Sequence, residues 1–194
     1  MIKPQRLKKG DKVAIVSLSA GTLGEKWAIH RYYIAKERLE NDFGLKVVVM
    51  ENTLKGIKYL DEHPEARAKD LMDAFKDDSI KAVFNAIGGD DTIRLLPYID
   101  FEVIRNHPKI ICGFSDSTSL TNNIYSQTGV VTFSGPTFKA LTSWQTQYGY
   151  EEVIKRFVEG GLVLGQADDE YKTIKEEWEV GYFSLFFVYF CGEN

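Results

Sequence analysis

Hydrophobic positions fall into two alternating patterns over about the first 160 residues. Short apolar runs at residues 12–18 (KVAIVSL), 45–50 (LKVVVM), 81–87 (KAVFNAI), 108–114 (PKIICGF) and 130–136 (VVTFSGP) have the length and character of buried strands. Between them, apolar residues recur at helical spacing. Ala28, Tyr32, Ala35 and Leu39 make one such face, and Ala68, Leu71, Met72 and Phe75 make another behind Pro64, a proline suited to a first helical turn. A further helix is predicted over residues 116–127, and Val153, Ile154, Phe157 and Val158 mark a last one. Strands that alternate with helices in this way predict right-handed crossovers and a parallel sheet covered on both faces. The expected fold is an α/β, flavodoxin-like or Rossmann-like doubly wound domain of about five strands. Up to residue 160 there is no internal repeat, low-complexity tract or proline-rich linker.

Beyond that point the pattern changes. The acidic stretch GQADDEYKTIKEEWE reads as a linker, and WEVGYFSLFFVYFCGEN is aromatic and apolar without helical or strand alternation. The division expected is therefore a flavodoxin-like domain over residues 1–160 and a linker with an atypical tail over residues 161–194. The apolar part of the tail, residues 180–190, falls short of the roughly 20 residues needed to span a bilayer, so no membrane role is expected.

Composition narrows the function classes. A chain of 194 residues with 44% hydrophobic and 27% charged residues is that of one ordinary globular domain. Its formal net charge of -4 argues against nucleic-acid binding, which needs a surplus of lysine and arginine to neutralise phosphates. The basic opening KPQRLKKGDK reads as a solvated face. The two cysteines, Cys112 and Cys191, are far apart in apolar surroundings, so they suggest neither a disulfide framework nor a zinc site. The apolar run at residues 13–18 is too short for a signal-peptide core, and a cytoplasmic location is the expectation.

In doubly wound sheets ligands bind beyond the carboxyl ends of the strands. The sequences there are SLSAGTLGE, ENTLKGIKYLDEH, GGDD, FSDS and FSGP. The fourth, Gly113-Phe114-Ser115-Asp116-Ser117, resembles the G-x-S-x-G elbow, with Ser117 in place of the last glycine. A serine in an ordinary strand-to-helix turn, with Asp116 capping the helix, fits equally well. The third loop contains Gly88, Gly89, Asp90 and Asp91, and paired glycines let backbone N–H groups approach a ligand. If the third and fourth strands are neighbours, Gly89 or Asp90 on one side and Asp116 on the other could donate to an oxyanion beside Ser115. The alternative is a Gly-Gly turn followed by an aspartate that caps the helix before Pro97. Gly88, Asp91 and Ser19 complete the candidate substrate-binding set. No histidine can be assigned as base: His107 precedes the fourth strand, about 16 Å from Ser115 at the wrong end of the sheet. His30 and His63 suit surface or capping roles.

The segments KPQRLKKGDKVAIVSLSAG, EARAKDLMDAFKDDSIKAVFNAIGGDDTIRLLPYID and PKIICGFSDSTSL followed by TGVVTFSGP together resemble the nucleophile half of the LD-carboxypeptidase family of serine peptidases. The branch most resembled is that of the microcin C self-immunity proteins. The resemblance covers most of residues 3–140. It implies a Ser-His-Glu triad with Ser115 as nucleophile, the amide of Asp116 and the loop around Gly89 as oxyanion hole, and the glutamate and histidine on a separate C-terminal domain. It also implies a small peptide or peptidyl-nucleotide substrate, no metal or organic cofactor, and a homodimer. Family members cut the bond between an L- and a D-residue in murein peptides, and the immunity branch hydrolyses peptidyl or aminoacyl nucleotide analogues. GGDD in place of a Gly-Gly-aromatic loop leans towards that branch. The tail departs from the family, reads as a truncation or shifted frame, and leads to the expectation of a nearly inactive chain. Two other readings compete. One is a non-catalytic domain binding a small anionic or nucleotide-like ligand at its helix N-termini; the other is nucleophilic chemistry at Cys112, which should instead be buried in its strand.

Overall fold

The computed structural model describes residues 1–142, residues 154, 157 and 158, and residues 189 and 190. Its sheet runs in the order β2-β1-β3-β4-β5-β6. The strands are β1 (Lys12–Val16), β2 (Lys46–Val49), β3 (Ile80–Asn85), β4 (Ile110–Gly113), β5 (Phe133–Ser134) and β6 (Tyr189–Phe190). The first five are mutually parallel, as the sequence pattern predicts. β6 pairs antiparallel with β5. The apolar tail, in which no strand alternation is visible, thus supplies a two-residue edge strand; the acidic linker lies outside the described residues.

Side chains alternate across the strands, and each face of the sheet has its own core. Val13, Ile15, Ala82, Phe84, Ile110 and Cys112 face α1 (Ile29–Asn41), which buries Tyr32, Ala35 and Leu39 against them. Ile154 and Phe157, both helical, join this face. On the other side Ala14, Val16, Val83 and Ile111 pack on Ala68, Leu71, Met72 and Phe75, and on Leu120 and Ile124 of the helix that follows β4.

The helices account for each crossover. Two helices that the apolar pattern does not reveal, α2 (Ile57–Glu62) and α4 (Phe101–Asn106), are each only six residues long and bury one side chain apiece, Leu60 and Ile104. α3 (Pro64–Lys76) starts on Pro64, whose missing N–H costs nothing at a first turn. After β4, a single 3-10 turn (Ser115–Ser117) leads into α5 (Thr118–Thr128). α5 stops at Gly129, which takes the left-handed conformation at φ 73. The predicted fifth strand shrinks to two residues because Val130 and Val131 are drawn to the N-terminus. Ile2 donates to the Gly129 carbonyl and accepts from Val131, forming an isolated bridge there. Of the basic opening segment, Leu7 is buried while the lysines and Arg6 remain exposed.

Candidate functional site

β4 ends in the tight turn that Gly113 permits. A Cβ at Gly113 would lie 2.6 Å from Ser117 Oγ and 3.0 Å from Asn85 Cβ. Phe114 is extended, and Ser115 then adopts φ 65, the one positive φ outside glycine among the described residues. A left-handed serine costs roughly 1–2 kcal/mol, and such strain collects at functional turns. The turn is held by Ser117, which is buried and donates its hydroxyl to the Phe114 carbonyl at 3.0 Å. This shows why a serine can replace the last glycine of the elbow. Ser115 is exposed, and its hydroxyl makes no hydrogen bond among the described residues. Because glycine tolerates this φ, Ser115→Gly is expected to be more stable than Ser115→Ala by about 0.5–1 kcal/mol, read by urea unfolding; equal stabilities would show that the turn is unstrained in solution.

β3 and β4 are hydrogen-bonded neighbours, with Phe84 opposite Cys112, so the loops at their carboxyl ends meet. A Cβ at Gly88 would lie 3.1 Å from both Cβ and Oγ of Ser115. A Cβ at Gly89 would lie 2.0 Å from Ser19 Oγ. The backbone N–H groups of Gly88, Gly89 and Asp90 make no hydrogen bond among the described residues, and the Asp90 side chain is exposed. Backbone donors and a serine hydroxyl, none of them bonded among the described residues, therefore share one edge of the sheet.

Asp116 does not cap its own helix. Its carboxylate reaches across to the third loop and accepts from the amides of Asp91 (2.9 Å) and Thr92 (2.8 Å), from Thr92 Oγ1 (2.6 Å) and from Ser19 Oγ. It thus caps the 3-10 helix over Thr92–Tyr98, a role the sequence pattern assigns to an aspartate of the third loop. Burial alone would raise the Asp116 pKa, yet these donors outweigh it and hold the carboxyl below its ordinary range. Asp91 faces the other way. Arg67 holds it in a two-pronged ion pair, Nη1 to Oδ1 at 2.8 Å and Nη2 to Oδ2 at 2.7 Å, and hydrogen bonding from Arg67 depresses its pKa. Ser19 is buried with its hydroxyl given to Asp116, so Ser19 and Asp91, both candidates for substrate contact, are engaged within the protein.

Three buried polar residues escape the sequence reading. Arg67 of α3 is 1% exposed and also donates to the Ser19 carbonyl at 3.2 Å. Asn85, at the end of β3, accepts from the Leu18 amide (3.2 Å) and donates to the Ile87 carbonyl (2.9 Å), joining the loops after β1 and β3. Asp70 accepts from the amide and side chain of Asn52, both at 2.8 Å, and its pKa is raised by burial. The available signal is an arginine and an aspartate on the apolar stripe of α3 and an asparagine inside a strand run. Polar residues are buried in such places only with partners.

The histidines lie elsewhere or unpaired with Ser115. His107 pairs with Asp78 at 3.1 Å, where β3 and β4 begin, as its position before β4 predicts. His63 pairs with exposed Glu65 at 2.8 Å, and His30 is exposed on α1. Cys112 is fully buried, and burial pushes its thiol pKa far up, which removes it as a nucleophile. Among the described residues, no group of three or more His, Cys, Asp or Glu is placed to hold a metal, and no helix is long and apolar enough to cross a membrane.

These features define an α/β domain built around an exposed serine on a strained strand-to-helix turn, with backbone donors beside it that have no partner among the described residues. Residues 13–135 match the family model described as the LD-carboxypeptidase N-terminal domain. The chain belongs to the LD-carboxypeptidase family. It is 32% identical over 185 residues to the "Probable murein peptide carboxypeptidase" of Bacillus subtilis (strain 168), covering 87% of this chain and 55% of that protein. To the "Microcin C7 self-immunity protein MccF" of Escherichia coli it is 35% identical over 128 residues, 66% of this chain and 36% of that one. The solved MccF-like protein from Streptococcus pneumoniae in complex with AMP superposes with a TM-score of 0.73 at 32% identity, covering 93% of this chain and 55% of that one. The chain spans about half the length of the curated relatives it matches.

Proposed function

We propose that residues 1–160 form the nucleophile domain of a serine carboxypeptidase of LD-carboxypeptidase type, acting through an acyl-enzyme on Ser115. The observation that carries this reading is the exposed, left-handed Ser115 with the Gly88–Gly89 backbone packed against it. In the first step Ser115 Oγ loses its proton and bonds to the scissile carbonyl carbon, whose oxygen takes up the negative charge. The amides of Gly89 or Asp90 and of Asp116 are the donors for that oxyanion. Collapse breaks the carbonyl–nitrogen bond, the departing nitrogen takes a proton, and water then hydrolyses the ester. The substrate is a small murein-derived peptide or a peptidyl or aminoacyl nucleotide. The names of the B. subtilis relative and of the MccF proteins, and the AMP complex of one of them, support these two classes. We also infer a cytoplasmic homodimer.

No histidine of this chain is hydrogen-bonded to Ser115, so the isolated chain should react slowly. A fluorophosphonate probe followed by peptide mass mapping tests the proposal. The expected result is a slow, single adduct on Ser115 that disappears in Ser115→Ala. An adduct on another residue, or none after prolonged exposure, would sink the nucleophile assignment. In the second case, binding of AMP by calorimetry would favour a ligand-binding domain. Rapid labelling would show that a base within these 194 residues already serves Ser115.

A further inference from the structure

The bonds around the third loop close into a ring. Arg67 donates to the Asp91 carboxylate, the Asp91 amide donates to the Asp116 carboxylate, the Ser19 hydroxyl donates to the same carboxylate, and the Ser19 carbonyl accepts from Arg67. One helix and three strand-end loops, those after β1, β3 and β4, meet in it. Gly89 lies directly on the Ser19 side chain, since a Cβ there would come within 2.0 Å of Ser19 Oγ and 2.8 Å of the Ala20 nitrogen. The position of Gly89 is therefore set by Ser19 beneath it and by Asp91 two residues on. Both of these are bonded to Arg67.

Arg67 itself stands on a fixed base. The neighbouring turns of α3 bury Ala68, Leu71, Met72, Ala74 and Phe75 completely or nearly so. Its guanidinium is fully enclosed, and its Nε has no hydrogen-bond partner among the described residues. Burying a charge and leaving one donor unmet is a poor way to gain stability, because a buried ion pair is often matched or bettered by apolar residues of similar volume. What the planar guanidinium supplies, and a lysine does not, is a two-pronged contact of fixed direction.

We propose that Arg67 is a positioning residue for the reaction at Ser115: through Asp91 and Ser19 it fixes the Gly88–Gly89 backbone donors against the nucleophile. The proposal rests on the serine-peptidase reading above, and a single set of variants separates the two. Arg67→Met, and the charge-free pair Arg67→Met with Asp91→Asn, are compared with the unaltered 194-residue chain in three measurements. These are thermal unfolding, hydrogen exchange at the Asp91 and Thr92 amides, which Asp116 protects, and the second-order rate of fluorophosphonate labelling at Ser115.

The double variant is expected to recover most of the thermal stability that Arg67→Met loses, because the Asp91 carboxylate, which would keep only the exposed Arg94 as an ionic partner at 3.1 Å, is no longer charged. Its labelling rate should stay down by about 100-fold, the order of loss that a displacement of about 1 Å produces at a reacting centre. Its Asp91 and Thr92 amides should exchange at least tenfold faster. If labelling recovers together with stability, Arg67 is only structural and the proposal is overturned. If the unaltered chain is not labelled at all, the serine reading fails. The exchange rates then still decide the positioning claim: wild-type protection in the double variant overturns it, and faster exchange supports the hold of Arg67 on the loop.

Discussion

Gly89→Ala is expected to slow fluorophosphonate labelling of Ser115 by about 100-fold and to lower stability by about 1–3 kcal/mol. The added methyl would sit 2.0 Å from Ser19 Oγ and 2.8 Å from the backbone nitrogen of Ala20. Ser19 cannot step aside cheaply, because its hydroxyl is bonded to Asp116 and its carbonyl to Arg67. The loop must therefore lift, and its N–H groups leave the place where an oxyanion would form. Gly88→Ala is a milder test of the same geometry, since its methyl would meet Ser115 Cβ and Oγ at 3.1 Å and could be absorbed by a few tenths of an ångström of movement. A Gly89→Ala chain that labels at the unaltered rate would remove the third loop from the oxyanion hole.

The parts of this fold that follow from local periodicity are those in which one residue type answers one local demand. Val13, Ala14, Ile15 and Val16 are buried because β1 lies in the middle of a sheet covered on both faces, and a continuous apolar run is how such a strand reads. The face made by Tyr32, Ala35 and Leu39 is legible for the same reason. Ser115 was legible as a candidate because glycine, serine and a following helix are contiguous in the chain. Its left-handed φ is not, since a single residue's backbone angle at a turn leaves no period in the sequence.

Local reading fails where a side chain serves a distant loop. Asp116 stands in a typical capping position and caps a different helix, because β3 and β4 are adjacent and their loops converge. Arg67 and Asp70 look like surface charges on a helix, and both point into the protein. Their partners, Asp91 and Asn52, are 24 and 18 residues away. No period in the sequence encodes that pairing. The antiparallel β6 is similar: two residues of an apolar tail find the free edge of β5, an event fixed by sheet topology and not by the tail's own pattern.

The largest loss of stability is expected from Asp91→Ala. The Arg67 side chain has 0% exposure and that of Asp91 22%, so removing the carboxylate strands an enclosed guanidinium. Breaking one side of a buried pair costs about 3–5 kcal/mol. For a chain of this size the melting temperature should fall by about 10 °C. The effect should also depend on pH in a defined direction. Arg67 holds Asp91 below its ordinary pKa, and the donors around Asp116 do the same there despite its burial. Groups depressed on folding contribute stability that is fully present above the unfolded value, about 3.9 for aspartate, and is lost as pH falls through the folded value. Urea unfolding of the unaltered chain and of Asp91→Ala at pH 7 and pH 3 should therefore show a gap that is wide at neutrality and narrows in acid, as the unfolded chain takes up a proton at Asp91 that the Arg67 pair keeps off the folded protein. A gap below about 1 kcal/mol at pH 7 would place this ion pair with the weak surface pairs and would leave Asp116 as the main tie between the loops.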